Sequence, residues 1–520
     1  TNMKKVSSKK KNGSRNQKLF HEKLSGLMTG YSHVGEIDIQ TLLEKADRLF
    51  QKGHVEEGIE ILLEGISRYP EDECVYVTLA EQMINNGRYQ DALEALIEIP
   101  VGAKKGKKAG DFQTGKIRLL KAYSQEGLGN FELAAELVDQ VLQLHPDNPK
   151  ALNLRGILAY RKDEKHRARE SFQRAIDADP GYGEPHTNLG SILWESGDMH
   201  EALNLFERGF ILTPTDKDIT TAYHEAITAL KEFTRAETIV REALEPYPYN
   251  KKIHYMLIDM LIQAGQLNEA LSHIEYAISI CGIEDGVLDA ALNIRKNMGP
   301  VEIGKKTKKK SSVSLCMIVK NEEEFLSQCL ANVKPIVDEM IVADTGSTDR
   351  TKDIATVYGA KVFDFSWNND FAAARNFSIA KASGDWILIM DADEVISPID
   401  YTAFRKLINK KSSGPSAYSI VTRNYCHKSN NIGWNSNDGY YAQEESGIGW
   451  LASEKVRLFS NNSGIKFEGA VHEMVEQILK RKGIKIKKTK IPVHHYGRLN
   501  TDKLDQKGQA YYEIGRKKLA

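Results

Sequence analysis

Residues 369–394 read NDFAAARNFSIAKASGDWILIMDADE, and this stretch decides the fold of the C-terminal half. Its first part, 370–382, is helix-like, and 386–390 is an apolar run of strand length that leads straight into Asp391, Ala392, Asp393 and Glu394. A run that short and that apolar reads as a buried strand. Outward from it the same alternation recurs: 314–319 and 340–343 are nearly continuous apolar runs, 361–365 is another strand, and 322–334 and 348–358 are helix-like. Strand, helix, strand, helix predicts an α/β domain with a Rossmann-like, mostly parallel sheet and right-handed crossovers. Ligands of such sheets bind at the carboxyl ends of the strands.

The N-terminal half keeps a different beat. Pro146, Pro180, Pro214 and Pro248 are each 34 residues apart, as are Ala134, Ala168, Ala202, Ala236 and Ala270, with Gly58 and Ala92 continuing the series backward. The step from Ala92 to Ala134 is 42, which places an insertion around the basic stretch 101–110. Four residues after each small position stands a larger apolar one, such as Phe172 and Phe206; twelve before it stand Ala46, Ala80, Ala122, Gly156 and Gly190. Small residues let two helices approach, and larger ones fill the space beside them. Gly53, Gly87, Gly129, Gly197 and Gly265 supply the turn between helices, with Asp163 and Lys231 as exceptions. This pattern resembles the tetratricopeptide repeat: seven units over about residues 39–284, with 289–298 as a capping helix. Stacked helix pairs of this kind form an all-α superhelix whose groove binds protein or peptide partners.

Composition sets the outer bounds. The chain has 520 residues, and its 71 Lys plus Arg balance 71 Asp plus Glu, so a generic polyanion binder is excluded and no nucleic-acid partner is expected. Five scattered cysteines form no CxxC pair, and no apolar run approaches the ~18 residues of a membrane span; a reducing, cytoplasmic setting is expected. The chain opens on Thr1 and closes at Ala520 within a helix-like stretch, and whether it is a piece of a longer product stays open. The expected organisation is a basic disordered tail 1–37, repeats 38–299, a Lys-rich linker 300–311, the α/β domain 312–500 and a helical segment 501–520.

Chemistry gathers at the strand ends. Asp391 and Asp393, one residue apart after a buried strand, suit a divalent cation and the diphosphate it carries, because alternate residues can turn toward one ion. The motifs SLCMIVKNEE, DEMIVADTGSTDRT, the 369–394 stretch, GAVHE and VHHYG together resemble a family 2 glycosyltransferase with the GT-A fold, over residues 312–497. That resemblance implies a nucleotide-diphosphate sugar donor, a UDP-sugar being expected, with Mg2+ or Mn2+ at the DxD and inversion by direct displacement. It also implies that Asp344 hydrogen-bonds the base and that Asn321 or Glu322 borders the nucleoside pocket. Arg375 would stand beside base and diphosphate, Asp391 would reach toward ribose and metal, and Asp393 would be the main metal ligand. A divalent ion and a positioned cation are what a diphosphate leaving group requires.

Downstream, 468–473 (EGAVHE) and 492–497 (PVHHYG) carry His472, Glu473, His494 and His495. An inverting transfer needs a carboxylate or similar base near the acceptor atom, and a third metal ligand is often histidine. Glu473 is the candidate base, and His472 or His495 the candidate metal or diphosphate contact. Adjacent residues of a strand face opposite sides, so at most one of His494 and His495 enters the site. Tyr425, Trp434, Tyr440, Tyr441 and Trp450 are candidates for an acceptor platform, with core packing explaining at least half of them equally well. The Gly-, Ser- and Asn-containing stretch 428–449 reads as a mobile loop, and Lys485 to Lys490, alternating with Ile484 and Ile486, as a charged edge strand. Three readings stay open. One is a transferase whose repeats recruit a protein or peptide; another acts on a lipid-linked or surface polysaccharide precursor, with peripheral membrane contact through basic clusters. The third is a non-catalytic repeat adaptor, and a homodimer is compatible with each.

Overall fold

A computed structural model describes residues 38–51, 54–99, 107–298, 311–410, 414–429, 432–461, 464–469 and 473–499. The expected tail 1–37, the linker residues 300–310 and the segment 501–520 lie outside the described residues, as do Gly53 and His472. The chain divides into two compact units, Thr1–Glu232 and Phe233–Ala520.

In the first unit, helices follow one another on the 34-residue beat from Ile39–Gln51 to Lys217–Leu230. Several first helices start on a side-chain cap: Asp72 accepts the Cys74 N–H, Asn148 that of Ala151, and Asp216 those of Asp218 and Ile219. The small positions do what their spacing implies. A Cβ on Gly156 would meet the Phe172 ring at 2.5 Å, and one on Gly190 the Phe206 ring at 2.9 Å, so a thin first helix seats a ring from the second. The turns are left-handed at Gly87, Gly129 and Gly197, and equally at the exceptions Asp163 (φ 61°) and Lys231 (φ 59°). The repeat geometry is thus kept where glycine is missing, at a cost of about 1–2 kcal/mol per residue.

The second unit opens with the helices Phe233–Leu244, Lys251–Gln263, Leu267–Cys281 and Asp285–Met298. The last two of these pack on the α/β domain. The Tyr358 hydroxyl donates to the Glu275 carbonyl (2.7 Å), Arg295 Nε donates to the Val357 carbonyl (2.8 Å), and the Glu275 carboxylate takes Arg295 (2.8 Å) and Lys334 (2.5 Å). Arg350, in the DTGSTDRT motif, reaches Asp285 (2.5 Å) and Asp289 (2.6 Å) of the last of these helices.

The sheet comprises β1 (Val313–Val319), β2 (Glu339–Asp344), β3 (Lys361–Asp364), β4 (Trp386–Ile389), β5 (Glu394–Val395), β6 (Ala417–Cys426), β7 (Trp434–Ser436), β8 (Gly449–Ser460), β9 (Ile486–Lys488) and β10 (Val493–His495). Its order is β3-β2-β1-β4-β8-β6-β10-β5, with β7 paired to β8 and β9 to β6. Strands β1 to β4 are parallel, whereas β8 runs antiparallel to both β4 and β6, so the sheet is mixed. Crossover helices Leu326–Val333, Thr351–Val357 and Phe371–Ala380 connect the parallel strands. The chain runs from β1 outward to β2 and β3 and then returns to β4 on the other side of β1, a topological switch point at whose carboxyl edge such sheets form their ligand crevice. Cys316, Ile341, Ile387, Ile389, Val456 and Phe459 form the core beneath it. β9 is an edge strand, with Lys488 paired to Glu454 at 2.8 Å. The stretch 428–449 differs from an open loop among its described residues: β7 adds to β8, and the Glu445 carboxylate accepts the N–H groups of Asp438 (3.2 Å) and Gly439 (2.9 Å). No helix of the described residues is long and apolar enough to cross a membrane.

Candidate active site

After β1 the backbone passes through Asn321 in the left-handed region, φ 54°. Its N–H donates to Ser347 Oγ (2.9 Å), and its Oδ1 accepts the Thr348 N–H (2.8 Å). The Glu322 N–H donates to Thr351 Oγ1 (2.8 Å) and the Glu323 N–H to Asp349 Oδ2 (3.2 Å), so the loops after β1 and β2 are laced together. Asp344, only 2% exposed at the end of β2, accepts the N–H groups of Gly346 (3.2 Å) and Ser347 (3.0 Å) and the Ser347 hydroxyl. Its carboxylate therefore shapes its own loop.

The end of β4 is built from distant residues. Asp370 caps the helix Phe371–Ala380 by accepting the Ala373 N–H, and that helix carries the buried Arg375. Arg375 Nη2 donates to Asp391 Oδ1 (2.8 Å) and Nε to Glu473 Oε1 (2.8 Å), while the buried Nη1 has no partner among the described residues. Burial opposes charge on Arg375, but Asp391 and Glu473 outweigh it and raise its pKa. Burial likewise works against the Asp391 carboxylate, yet Arg375 and Arg457 hold it well below the usual carboxylate range. Under this turn, Arg457 and Glu394 form a buried two-pronged pair (2.6 and 2.5 Å), and Glu394 Oε2 accepts the Asp391 N–H (2.9 Å). The pair fixes the path of the DAD segment.

Asp393 faces His495, with Oδ2 3.3 Å from Nε2, and His495 Nδ1 lies 2.9 Å from Asn424 Oδ1. Burial disfavours the His495 cation, but Asp393 and Glu394 outweigh that and raise its pKa. The neighbouring His494 points to the opposite face, as strand alternation requires. It is fully buried beside Tyr425, 2.8 Å from its hydroxyl, and burial, aided by Arg423, pushes its pKa down to about 3. A Cβ on Gly497 would meet Asp393 Oδ2 at 2.2 Å and His495 Nε2 at 2.8 Å, so glycine alone leaves room there. A carboxylate oxygen and an imidazole nitrogen converge on that space, two donors of the kinds divalent cations take; among the described residues no group of three or more His, Cys, Asp or Glu side chains is arranged to hold a metal ion.

Of the residues singled out in the sequence, Arg375, Asp391 and Glu473 form one connected cluster, and Asp393 and His495 a second on the same turn. Asn321, Glu322 and Asp344 gather at the ends of β1 and β2. Among the platform candidates, Tyr425 and Tyr441 are core residues, Trp434 and Trp450 are half-buried, and Tyr440 is exposed. Three residues escaped sequence reasoning. Arg457 left a signal, a charge inside the apolar run 456–459, and Gly497 closes the VHHYG motif. Asn424 left none, because its partner is 71 residues away.

Residues 314–468 match the family model described as Glycosyl transferase family 2, and residues 119–183 a Tetratricopeptide repeat model. A TPR repeat-containing protein of Synechococcus elongatus is 38% identical over 207 residues, covering 38% of this chain and 45% of that protein. The SPbeta prophage-derived glycosyltransferase SunS of Bacillus subtilis is 32% identical over 164 residues, 31% of this chain and 34% of SunS. An uncharacterized glycosyltransferase of Rickettsia typhi is 40% identical over 85 residues, 16% and 29% of the two chains. The matches thus span less than half the length of each of these curated relatives. The two family matches and the mixed sheet with its carboxyl-edge crevice agree: the chain carries a family 2 glycosyltransferase domain of the GT-A type behind tetratricopeptide repeats.

Proposed function

We propose that the chain is a metal-dependent, inverting glycosyltransferase that moves a sugar from a nucleotide-diphosphate sugar, a UDP-sugar first among them, to a protein or peptide recruited by the repeats. The reading rests on one observation above others: Asp393 Oδ2 and His495 Nε2 converge at 3.3 Å beside the Arg375–Asp391 pair. Asp393 and His495, with Asp391 on the same turn, are the residues that would hold Mg2+ or Mn2+. Bound there, the ion supplies Lewis-acid stabilisation of the charge that develops on the diphosphate. Arg375 adds a fixed positive charge through its unpartnered Nη1. Asn321, Glu322 and Asp344 border the nucleoside, on loops whose mutual hydrogen bonds lower the ordering cost of binding. Glu473 is the proposed base. Arg375 holds its Oε1 and so orients Oε2 to take the acceptor proton, as the acceptor bonds to the anomeric carbon and the bond to the diphosphate breaks with inversion. A cytoplasmic setting accords with five cysteines that are all free thiols.

Release of nucleoside diphosphate from a panel of sugar nucleotides tests the reading. Turnover should require added Mn2+ or Mg2+, and Asp393→Asn should lower it by about 100-fold or more with circular dichroism unchanged. No turnover with any donor would leave the adaptor reading standing. Removing residues 1–232 keeps the second compact unit whole. That truncation should retain donor hydrolysis and lose transfer to protein acceptors, read by intact mass; undiminished transfer would sink recruitment by the first unit's repeats.

A further inference from the structure

Asn424 is 6% exposed on β6, with His495 of β10 beside it in the parallel register and Leu451 of β8 beside it on the other side. Its Nδ2 lies 2.9 Å from the Leu451 carbonyl, 3.0 Å from Ser453 Oγ and 3.3 Å from the Thr422 carbonyl. A carbonyl can only accept, so the amide nitrogen must face this side and Oδ1 must face His495. Asn424 Oδ1, 2.9 Å from His495 Nδ1, is itself an acceptor without a proton, so Nδ1 carries the hydrogen and donates it. In the neutral ring, Nε2 is then a bare lone pair. It points at a second bare acceptor, Asp393 Oδ2, at 3.3 Å. Two lone pairs at that distance call for a positive charge, either a proton on Nε2 or a cation in the space that Gly497 leaves free.

We propose that Asn424 is the positioning residue of the cation site: it locks His495 in the Nδ1–H tautomer and thereby turns the Nε2 lone pair into the nitrogen ligand that partners Asp393. This rests on the metal reading above, and it adds the reason why that histidine, in that orientation, is competent to ligate. The Leu451 and Thr422 carbonyls anchor the chain of bonds, so the orientation is built into the sheet before any ion arrives.

Two measurements on the full-length chain test it. The first is long-range 15N–1H NMR of histidine-labelled protein in EDTA at pH 8.5, with His495 assigned by its absence in His495→Gln. An Nδ1–H tautomer is expected, and an Nε2–H tautomer would overturn the proposal. The second is Mn2+ affinity, by electron paramagnetic resonance without nucleotide, in wild type and Asn424→Leu. A loss of about 10- to 100-fold is expected. Equal affinity in folded Asn424→Leu would overturn the proposal, because a merely structural role moves thermal stability and not ion affinity. Should Asn424→Leu fail to fold, Asn424→Asp, which keeps an oxygen toward His495, should retain more of the affinity than Asn424→Thr; the reverse order would count against the proposal. Absence of Mn2+ binding by the wild type, with His495 in the Nδ1–H tautomer, would instead sink the metal reading and take the ligating role of Asn424 with it.

Discussion

The ends of β2 and β4 carry the same cue in the sequence, an apolar run that stops at aspartate, and use it in opposite ways. At β2, Asp344 spends its carboxylate on its own turn, on Gly346 and Ser347, three residues away at most. At β4, the carboxylates are answered from far along the chain: Asp391 by Arg375 and Asp393 by His495, with Glu394 bound to Arg457 beneath them. The first arrangement is a turn held by its own hydrogen bonds, the one proposed to border the nucleoside. The second concentrates charge that only long-range folding assembles, and Arg375 Nη1 has no partner there among the described residues. A locally saturated aspartate builds a wall, whereas one balanced across the fold builds a reactive surface.

Breaking the β4 side should have the largest effect. Arg375→Met removes the cation that two carboxylates share and leaves Asp391 and Glu473 to repel each other. Removing one partner of a fully buried pair costs about 3–5 kcal/mol; with Asp391 34% exposed the cost here should be smaller, but the second compact unit should still unfold at lower denaturant, and turnover should vanish even where it remains folded. If Arg375→Met unfolds no more readily than wild type, the cluster is not held by charge, and the contrast with β2 loses its basis.

Asp344→Ala should cost less, about 1–3 kcal/mol, because it strands backbone N–H groups of a turn but leaves no unpaired charge. Its functional signature should also differ. Nucleotide affinity should fall with the loop's shape, while nucleotide-free Mn2+ affinity, set at β4 and β10, should stay within about twofold of wild type. The twofold bound follows from the additivity of well-separated sites, about 0.3–0.5 kcal/mol. An Mn2+ loss as large as that of Asp393→Asn would merge the two strand ends into one site.

The same contrast explains what could be read in advance. The repeats were legible because their contacts are local and periodic: the thin positions twelve before each repeat alanine and the large residues four after it found each other as Gly156 with Phe172 and Gly190 with Phe206. Strands β1, β2 and β4 were legible because each is a nearly continuous apolar run before a polar turn. The long pairing of β6 with β8 was not anticipated, since β8 begins with half-exposed residues such as Trp450 and Leu451 and carries Lys455 and Arg457 within it. Arg457 is a charge in a strand that makes sense only once Glu394 arrives beside it. Asn424 is an ordinary polar residue until Leu451 fixes its amide and His495 meets its oxygen. The packing of residues 267–298 onto the α/β domain was equally hidden, because Arg350 and Tyr358 find Asp285, Asp289 and Glu275 more than 60 residues away.

The smallest predicted effect sits where the β1 and β2 loops meet. Asn321 holds φ 54°, and its side chain supplies the acceptor for the Thr348 N–H. Those two roles separate by substitution. Asn321→Gly relieves the left-handed strain but forfeits the hydrogen bond, each worth about 1 kcal/mol, so stability should stay within about 1 kcal/mol of wild type. Asn321→Ala forfeits the bond and deepens the strain, so it should be destabilised by about 2 kcal/mol. The gap between the two variants, read by chemical denaturation, isolates the backbone contribution. Both should weaken nucleotide binding, since Thr348 loses its tether in each, and neither should alter Mn2+ affinity. Equal stability of the glycine and alanine variants would mean that the left-handed turn is not enforced in solution, and the β2 side would then be a pliable loop instead of a preset wall.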